Sequence, residues 1–220
     1  MTLPPGEPAA DSWRAVSTAD FIDFVLRAAH KPVRGPLVVA IDGRGASGKS
    51  TLADRVLGQV RRSAVVHTDD VAWNVPFFSW GGLLTDHVLS PLRRGEPVSF
   101  SPPAWALHAR GGSIEVAAGL DVVVIEGVGA SQREFEDFVD ATIWVQSDFV
   151  AAETRGIARD LAEGANGNEA EAVAFWHEWM NEELRFLGDQ RPWERACVIV
   201  AGTSPIPLHD DQVAISFGPL

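Results

Sequence analysis

The run Gly43-Arg44-Gly45-Ala46-Ser47-Gly48-Lys49-Ser50-Thr51 constrains this chain more than any other stretch. It has the form G-x-x-x-x-G-K-[ST], a backbone loop that cradles phosphate groups. Pro36-Leu37-Val38-Val39-Ala40-Ile41 before it is a short apolar run that reads as a buried strand, and Thr51 to Leu57 after it carries apolar residues at helical spacing. Strand, glycine loop and helix in that order let the loop N–H groups face an anion, with the positive end of the helix dipole behind them. An ordinary glycine-rich turn is the competing reading, and it needs neither flanking element. On the phosphate reading, Gly43, Gly45, Ala46, Ser47, Gly48, Lys49, Ser50 and Thr51 hold a nucleotide's phosphates. Lys49 reaches the β- and γ-phosphates and the Ser50 hydroxyl binds Mg2+.

The 220 residues suit one domain with a large core. Apolar runs fall short of the ~20 residues that a membrane span needs. The net charge of −12 argues against non-specific binding to nucleic acid or to an anionic membrane. Residues 1–16 are rich in proline and alanine at their start and lack a basic-then-apolar signal pattern, so they read as a flexible lead-in to a single domain over 17–220. Cys197 is the one cysteine, which excludes an internal disulfide and makes a cytoplasmic protein the default expectation. Cys197 itself sits in an apolar run and reads as a small core residue.

Alternating strand and helix patterns predict an α/β fold with a mainly parallel sheet. Thr18 to Ala29 reads as an amphipathic helix capped by Ser17 or Thr18. Ser63 to Asp70 reads as a strand ending in two acids, at the sheet edge where ligands bind in open α/β folds. One of Asp69 and Asp70 could take the proton of an attacking hydroxyl. Alternatively, Asp70 caps a turn and Asp69 is solvated. The aromatic stretch Val71 to Trp80 either walls a pocket or covers part of the core. Pro97 to Phe100 and Ser113 to Val116 read as a hairpin whose loop carries Trp105, His108 and Arg110. Asp121 to Ile125 is a buried strand ending in Glu126, which could hold Mg2+ directly or through water, or simply be solvated. Ala141 to Gln146 is a further strand, followed by a helix on which Arg155 and Arg159 share one face. Those arginines either clamp a transferring phosphate from a lid or pair with Glu153 and Asp160. Gly164 to Asn168 reads as a loop. Glu169 to Leu187 is a long helix whose apolar mass reads as core or as a homodimer face. Ala196 to Ala201 is the last strand expected, with Gly202-Thr203-Ser204-Pro205 after it.

Over roughly 36 to 202 the chain resembles the uridine kinase-like branch of the P-loop kinases. The resemblance is carried by Ile41-Asp42-Gly43 through Thr51, Thr68-Asp69-Asp70, His108-Ala109-Arg110 and Val124-Ile125-Glu126-Gly127. It implies a three-layer P-loop NTPase fold with helices on both faces of the sheet and small hairpin and lid excursions. It implies Asp69 as base toward the acceptor hydroxyl, His108 and Arg110 as acceptor contacts, Glu126 as the metal-side acid, and Arg155 and Arg159 as lid arginines. Asp70, Trp73 and Trp105 stand in the same acceptor region. There the chain departs from the family: Asp70-Val71-Ala72 replaces an aromatic pair, Trp105-Ala106 replaces a Tyr-Asp, and the chain has no tyrosine.

The function expected is an ATP- and Mg2+-dependent phosphotransferase acting on a hydroxyl of a small molecule. A nucleoside leads as acceptor, with a sugar, vitamin precursor or antibiotic hydroxyl as the alternative. A guanine-specific switch would need [NT]-K-x-D after the loop, and no lysine follows Lys49. A non-catalytic ATP-binding regulatory module is the remaining alternative.

Overall fold

The computed structural model describes residues 1–164 and 167–220. In chain order the elements are β1 (Arg14–Ser17), α1 (Thr18–Ala28), β2 (Leu37–Gly43), α2 (Lys49–Gln59), β3 (Ser63–His67), α3 (Thr68–Ala72), α4 (Gly81–Leu84) and α5 (Ser90–Arg94). They continue with β4 (Val98–Phe100), α6 (Pro103–Leu107), β5 (Ile114–Val116), β6 (Val122–Glu126), β7 (Ala141–Gln146), α7 (Phe149–Glu163), α8 (Glu169–Gln190), β8 (Val198–Ala201) and β9 (Gln212–Phe217). A π-helical turn at Thr85–Leu89 joins α4 to α5. The main sheet runs β1-β9-β8-β7-β2-β6-β3, and β4 and β5 form a separate antiparallel pair. From β8 to β3 every pairing is parallel; β9 and β1 are added antiparallel at the edge.

β2 shows why the sheet is covered on both faces. Successive strand side chains point to opposite sides. Val39 and Ile41 join Phe21, Val25, Leu52 and Val56 of α1 and α2 in one core cluster. Val38 and Ala40 join Trp80, Leu84, Leu89 and the hairpin residues Phe100 and Val116 in another. Burying each such side chain contributes roughly 1.5–3 kcal/mol, and Val38 and Ile41 have no exposed surface left. This is the expected α/β, three-layer arrangement with its hairpin excursion.

The caps are local and legible. Ser17 accepts a hydrogen bond from the Asp20 amide and starts α1; Asp148 accepts one from the Ala151 amide and starts α7. Asn168 and Glu171 form a reciprocal capping box for α8. The loop expected over 164–168 falls partly on Ala165 and Asn166, outside the described residues. α2 differs: its cap is Gly48 at φ 101° and no side chain bonds its first turn. That φ favours glycine, and the helix N-terminus is left open toward the loop.

Three expectations change. The lead-in is docked. Glu7 is buried and accepts from Trp144 Nε1 at 2.9 Å and from Gln146 Nε2 at 3.0 Å, the Ala10 amide donates to Gln146, and residues 14–17 are a strand paired with β9. A buried carboxylate must find donors, and it finds them on β7 and the phosphate loop. Second, the acid pair lies on the one-turn helix α3 and not in the strand, which ends at His67. Third, β1 and β9 extend the sheet beyond the expected last strand.

Candidate active site

Register delivers the site. Ile41 lies opposite Glu126, and Glu126 lies opposite His67, so β2, β6 and β3 end at one edge. The phosphate loop leaves from there. β8 ends beside it, and Gly202 must be glycine, because an added Cβ would run into the Ser47 carbonyl oxygen.

Asp42 anchors the base of the loop. Its buried carboxylate accepts from the amides of Gly43 at 2.7 Å, Gly129 at 2.9 Å and Ser131 at 2.9 Å, and from the Ser131 hydroxyl at 2.7 Å. Burial pushes this carboxyl up, and the bonds from Ser131, Gly129 and Gly43 oppose that. A second brace comes from α8. Glu183 Oε1 accepts from the Gly45 amide at 2.6 Å, and Arg44 lies between Glu7, at 3.1 Å, and Glu183, at 3.4 Å. Arg44, Glu7 and Glu183 are all buried. Burial pushes the Glu183 carboxyl up, while Arg44, the Gly45 amide and Trp179 act the other way.

The candidate catalytic side chains gather around the loop. Lys49 Nζ donates to the Arg44 carbonyl at 2.6 Å and is buried. Ser50 Oγ donates to Glu126 Oε1 at 3.2 Å, while Glu126 Oε2 meets His67 Nδ1 at 2.7 Å. Burial alone would push the Glu126 carboxyl up; the His67 bond, Lys49 and Ser50 outweigh it and hold the group below the usual range. The Glu126 bond in turn raises His67. Asp69 keeps surface open to the cleft but is otherwise surrounded by protein. Burial pushes its carboxyl above the ordinary aspartate value of 3.8, and Glu126 adds to the rise, against Lys49 and Arg159.

These groups line a cavity of about 540 Å3 that includes the loop from Gly45 to Ser50, Asp69, Glu126 and Arg159. Its far wall is aromatic: Trp73, Phe77, Phe78, Phe175, Trp176 and Trp179. A second cavity of about 340 Å3 lies on the other side of the loop, against Thr51, Arg55, Arg155, Gly202 and Ser204. Gly48 borders both.

The structure separates the two arginines of α7. Arg159 lines the phosphate-side cavity and pairs with Asp160 at 3.0 Å. Arg155 instead donates to the Ala46 carbonyl, at 3.1 and 3.0 Å, and to Thr203 Oγ1 at 3.3 Å, in the second cavity. The expected pairing of an α7 arginine with Glu153 is not what forms, because Glu153 meets His177 at 2.8 Å.

The acceptor set also divides. Arg110 pairs with Asp70 and stacks over Trp105 at 3.8 Å and Trp73 at 5.3 Å, and His108 meets Trp73 edge-on. Trp105 Nε1 donates to the Asp70 carbonyl at 2.9 Å. Of this cluster Trp73 lines the cavity; Asp70, Trp105, His108 and Arg110 are not among the described residues that do. Sequence reasoning missed His67, Arg44 and Glu183. His67 ends its strand next to two acids, which was a usable signal. Of the apolar mass of α8, Leu187 is core, and Phe175, Trp176 and Trp179 line this cavity.

The chain is similar to uridine-cytidine kinase A of Dictyostelium discoideum, 26% identical over 156 residues, covering 64% of this chain and 31% of that protein. It is similar to uridine-cytidine kinase B of the same organism, 24% identical over 165 residues and 65% of each chain. Uridine kinase-like protein 5 of Arabidopsis thaliana is 26% identical over 161 residues, 64% of this chain and 34% of that one. The chain thus spans about a third of the length of two of these relatives and just under two thirds of the other. Among solved structures, a possible uridine kinase from Bacillus stearothermophilus matches with TM-score 0.52 at 21% identity, over 82% of this chain and 97% of that one. A D-glycerate 3-kinase from Cryptococcus neoformans matches with TM-score 0.55 at 14% identity, over 91% and 96%. These two likenesses show the fold. No family model matches the chain.

Proposed function

We propose that this member of the uridine kinase-like P-loop family moves the γ-phosphate of ATP to a hydroxyl of a small molecule, with a nucleoside as acceptor. The observation that carries the reading is the convergence of Lys49, Ser50, Glu126, Asp69 and Arg159 around one phosphate loop, between two cavities. The cavity beside Gly202 takes the donor's base. The cavity beside Asp69 takes the acceptor.

The loop amides and Lys49 hold the donor's phosphates. Asp69 accepts the acceptor's hydroxyl proton as its oxygen bonds to the γ-phosphorus. The bond from that phosphorus to the bridging oxygen breaks, and ADP leaves with the electron pair. Arg159 offsets charge on the transferring group. Arg155 fastens α7 to the loop at Ala46, and the Asp70-Arg110-Trp105 cluster with His108 backs Trp73.

Ser50 and Glu126 present hard oxygen atoms 3.2 Å apart, a donor set that suits Mg2+ completed by phosphate and water. Bound there, Mg2+ would neutralise developing phosphate charge. The negative net charge and the single cysteine support a cytoplasmic protein that binds neither nucleic acid nor membrane, and no helix of the described residues is long and apolar enough to cross a membrane. Incubation with ATP, Mg2+ and uridine or cytidine tests the reading: it expects ADP and a nucleoside monophosphate. No phosphorylated product from any hydroxyl compound, with no ATP-dependent rise in Tm, overturns it.

A further inference from the structure

The acceptor-side cavity has a wall that the phosphate chemistry does not use. On α8, Phe175 and Trp179 face the cavity; beside them, Phe77 and Phe78 come from the turn after Trp73. The two sides are joined. Phe78 stacks on Phe186 with ring centroids 3.8 Å apart, Phe77 meets Trp179 edge-on at 5.3 Å, and Phe78 lies 5.5 Å from Trp179. Phe175 is 40% exposed and Phe77 38%. Rings left open in this way beside a catalytic loop give up apolar surface to water that a bound ring would recover.

Trp176 lines the same cavity and is buried, its six-membered ring packed against Gly156 of α7. The hairpin, by contrast, has its recognition groups committed: Arg110 is held by Asp70 and by two indole faces.

We propose that Phe77, Phe78, Phe175 and Trp179 form the subsite for the acceptor's ring. The acceptor is then a hydroxyl compound with a flat, weakly polar ring, and α8 rather than the β4–β5 hairpin determines its selection. This rests on the kinase reading above. Trp179 also draws the Glu183 carboxyl down against burial, and Glu183 holds the Gly45 amide, so the ring wall stands beside the support of the phosphate loop.

The test uses Phe175→Ala and Phe77→Ala in the full chain, since both side chains are partly exposed and folding is not at stake. Each should raise the KM for uridine about tenfold or more, with kcat and the KM for ATP little changed. His108→Ala, acting only through Trp73, should move the KM less. D-ribose, which lacks the flat base, should be a far poorer acceptor than uridine. A readout free of turnover is quenching of tryptophan fluorescence by 4-nitrobenzyl alcohol, which should saturate and weaken in Phe175→Ala. If uridine turns over but its KM is unmoved in both phenylalanine variants, or D-ribose serves as well, the subsite is wrong while the kinase reading stands. Unsaturable quenching also overturns it. Loss of all turnover and of ATP-dependent stabilisation would sink the kinase reading, and the quenching result would still decide the subsite.

Discussion

Glu183, near the end of α8, accepts a hydrogen bond from the Gly45 amide at 2.6 Å, 138 residues away in sequence. One carboxylate thus ties the last long helix to the phosphate loop and, through Arg44, to Glu7 of the N-terminal segment. The loop is braced from outside by charge and from below by Asp42.

The outer brace should matter for stability. Glu183→Ala leaves Arg44 buried with only Glu7 beside it, and leaves the Gly45 amide without its acceptor. Breaking one side of a buried charged network costs about 3 kcal/mol. Chemical denaturation should show a loss of that order, and Glu183→Gln, which keeps an acceptor oxygen, a smaller one. An unchanged midpoint for Glu183→Ala would show that the network is not a brace.

Asp42→Ala removes the acceptor of three backbone amides and one hydroxyl in the interior. Unsatisfied donors cost about 1 kcal/mol each at least, so for four donors the expected loss is on the order of 4 kcal/mol. For a domain of this size that lowers Tm by roughly 8–16 °C. A Tm within two or three degrees of the unaltered protein would contradict the assignment of Asp42 as an anchor.

Asp69→Asn should lower kcat far more than it changes ATP affinity, because a base acts in the transition state. If Asp70→Asn is the crippled variant instead, the base has been misplaced within the pair. The structure favours Asp69, which lines the cavity, over Asp70, which is held by Arg110.

The pH dependence follows from the direction of the Asp69 shift. Burial raises its pKa above 3.8, so its protonated, inactive form persists to higher pH than that of an ordinary aspartate. The acidic limb of the kcat profile should therefore lie above pH 3.8 and vanish with Asp69→Asn. A limb at the ordinary value would place Asp69 in open solvent.

Much of the donor side was legible in sequence. A glycine loop between a buried strand and a helix, and a strand ending in Glu126, are local patterns with fixed periods. The braces were not. Glu7 meets Arg44 and Glu183 meets Gly45 across 37 and 138 residues, and no local period encodes such pairs. Proline and alanine near the start suggested a free lead-in, yet burial of Glu7 decides its place. Arg155 and Arg159 share a helix face by spacing, but which cavity each enters depends on where α7 sits against Ala46 and Asp69. The aromatic stretch from Val71 to Trp80 read equally as core cover or pocket wall, and it is both: Val71 and Trp80 are buried in the core, while Trp73, Phe77 and Phe78 line the cavity and Phe77 and Phe78 meet α8. β9 follows a turn-rich segment and pairs antiparallel with both β1 and β8, and a six-residue run is a weak signal for it.

The most direct measurement is detection of the phosphorylated acceptor by mass spectrometry after incubation with ATP, Mg2+ and uridine, comparing the unaltered protein with Lys49→Ala. The unaltered protein should give a product heavier by one phosphoryl group, with equivalent ADP, and Lys49→Ala should give none although it folds. Equal product from both proteins would contradict the phosphate-loop assignment, and none from either, across nucleosides and other small hydroxyl compounds, would contradict the kinase assignment itself.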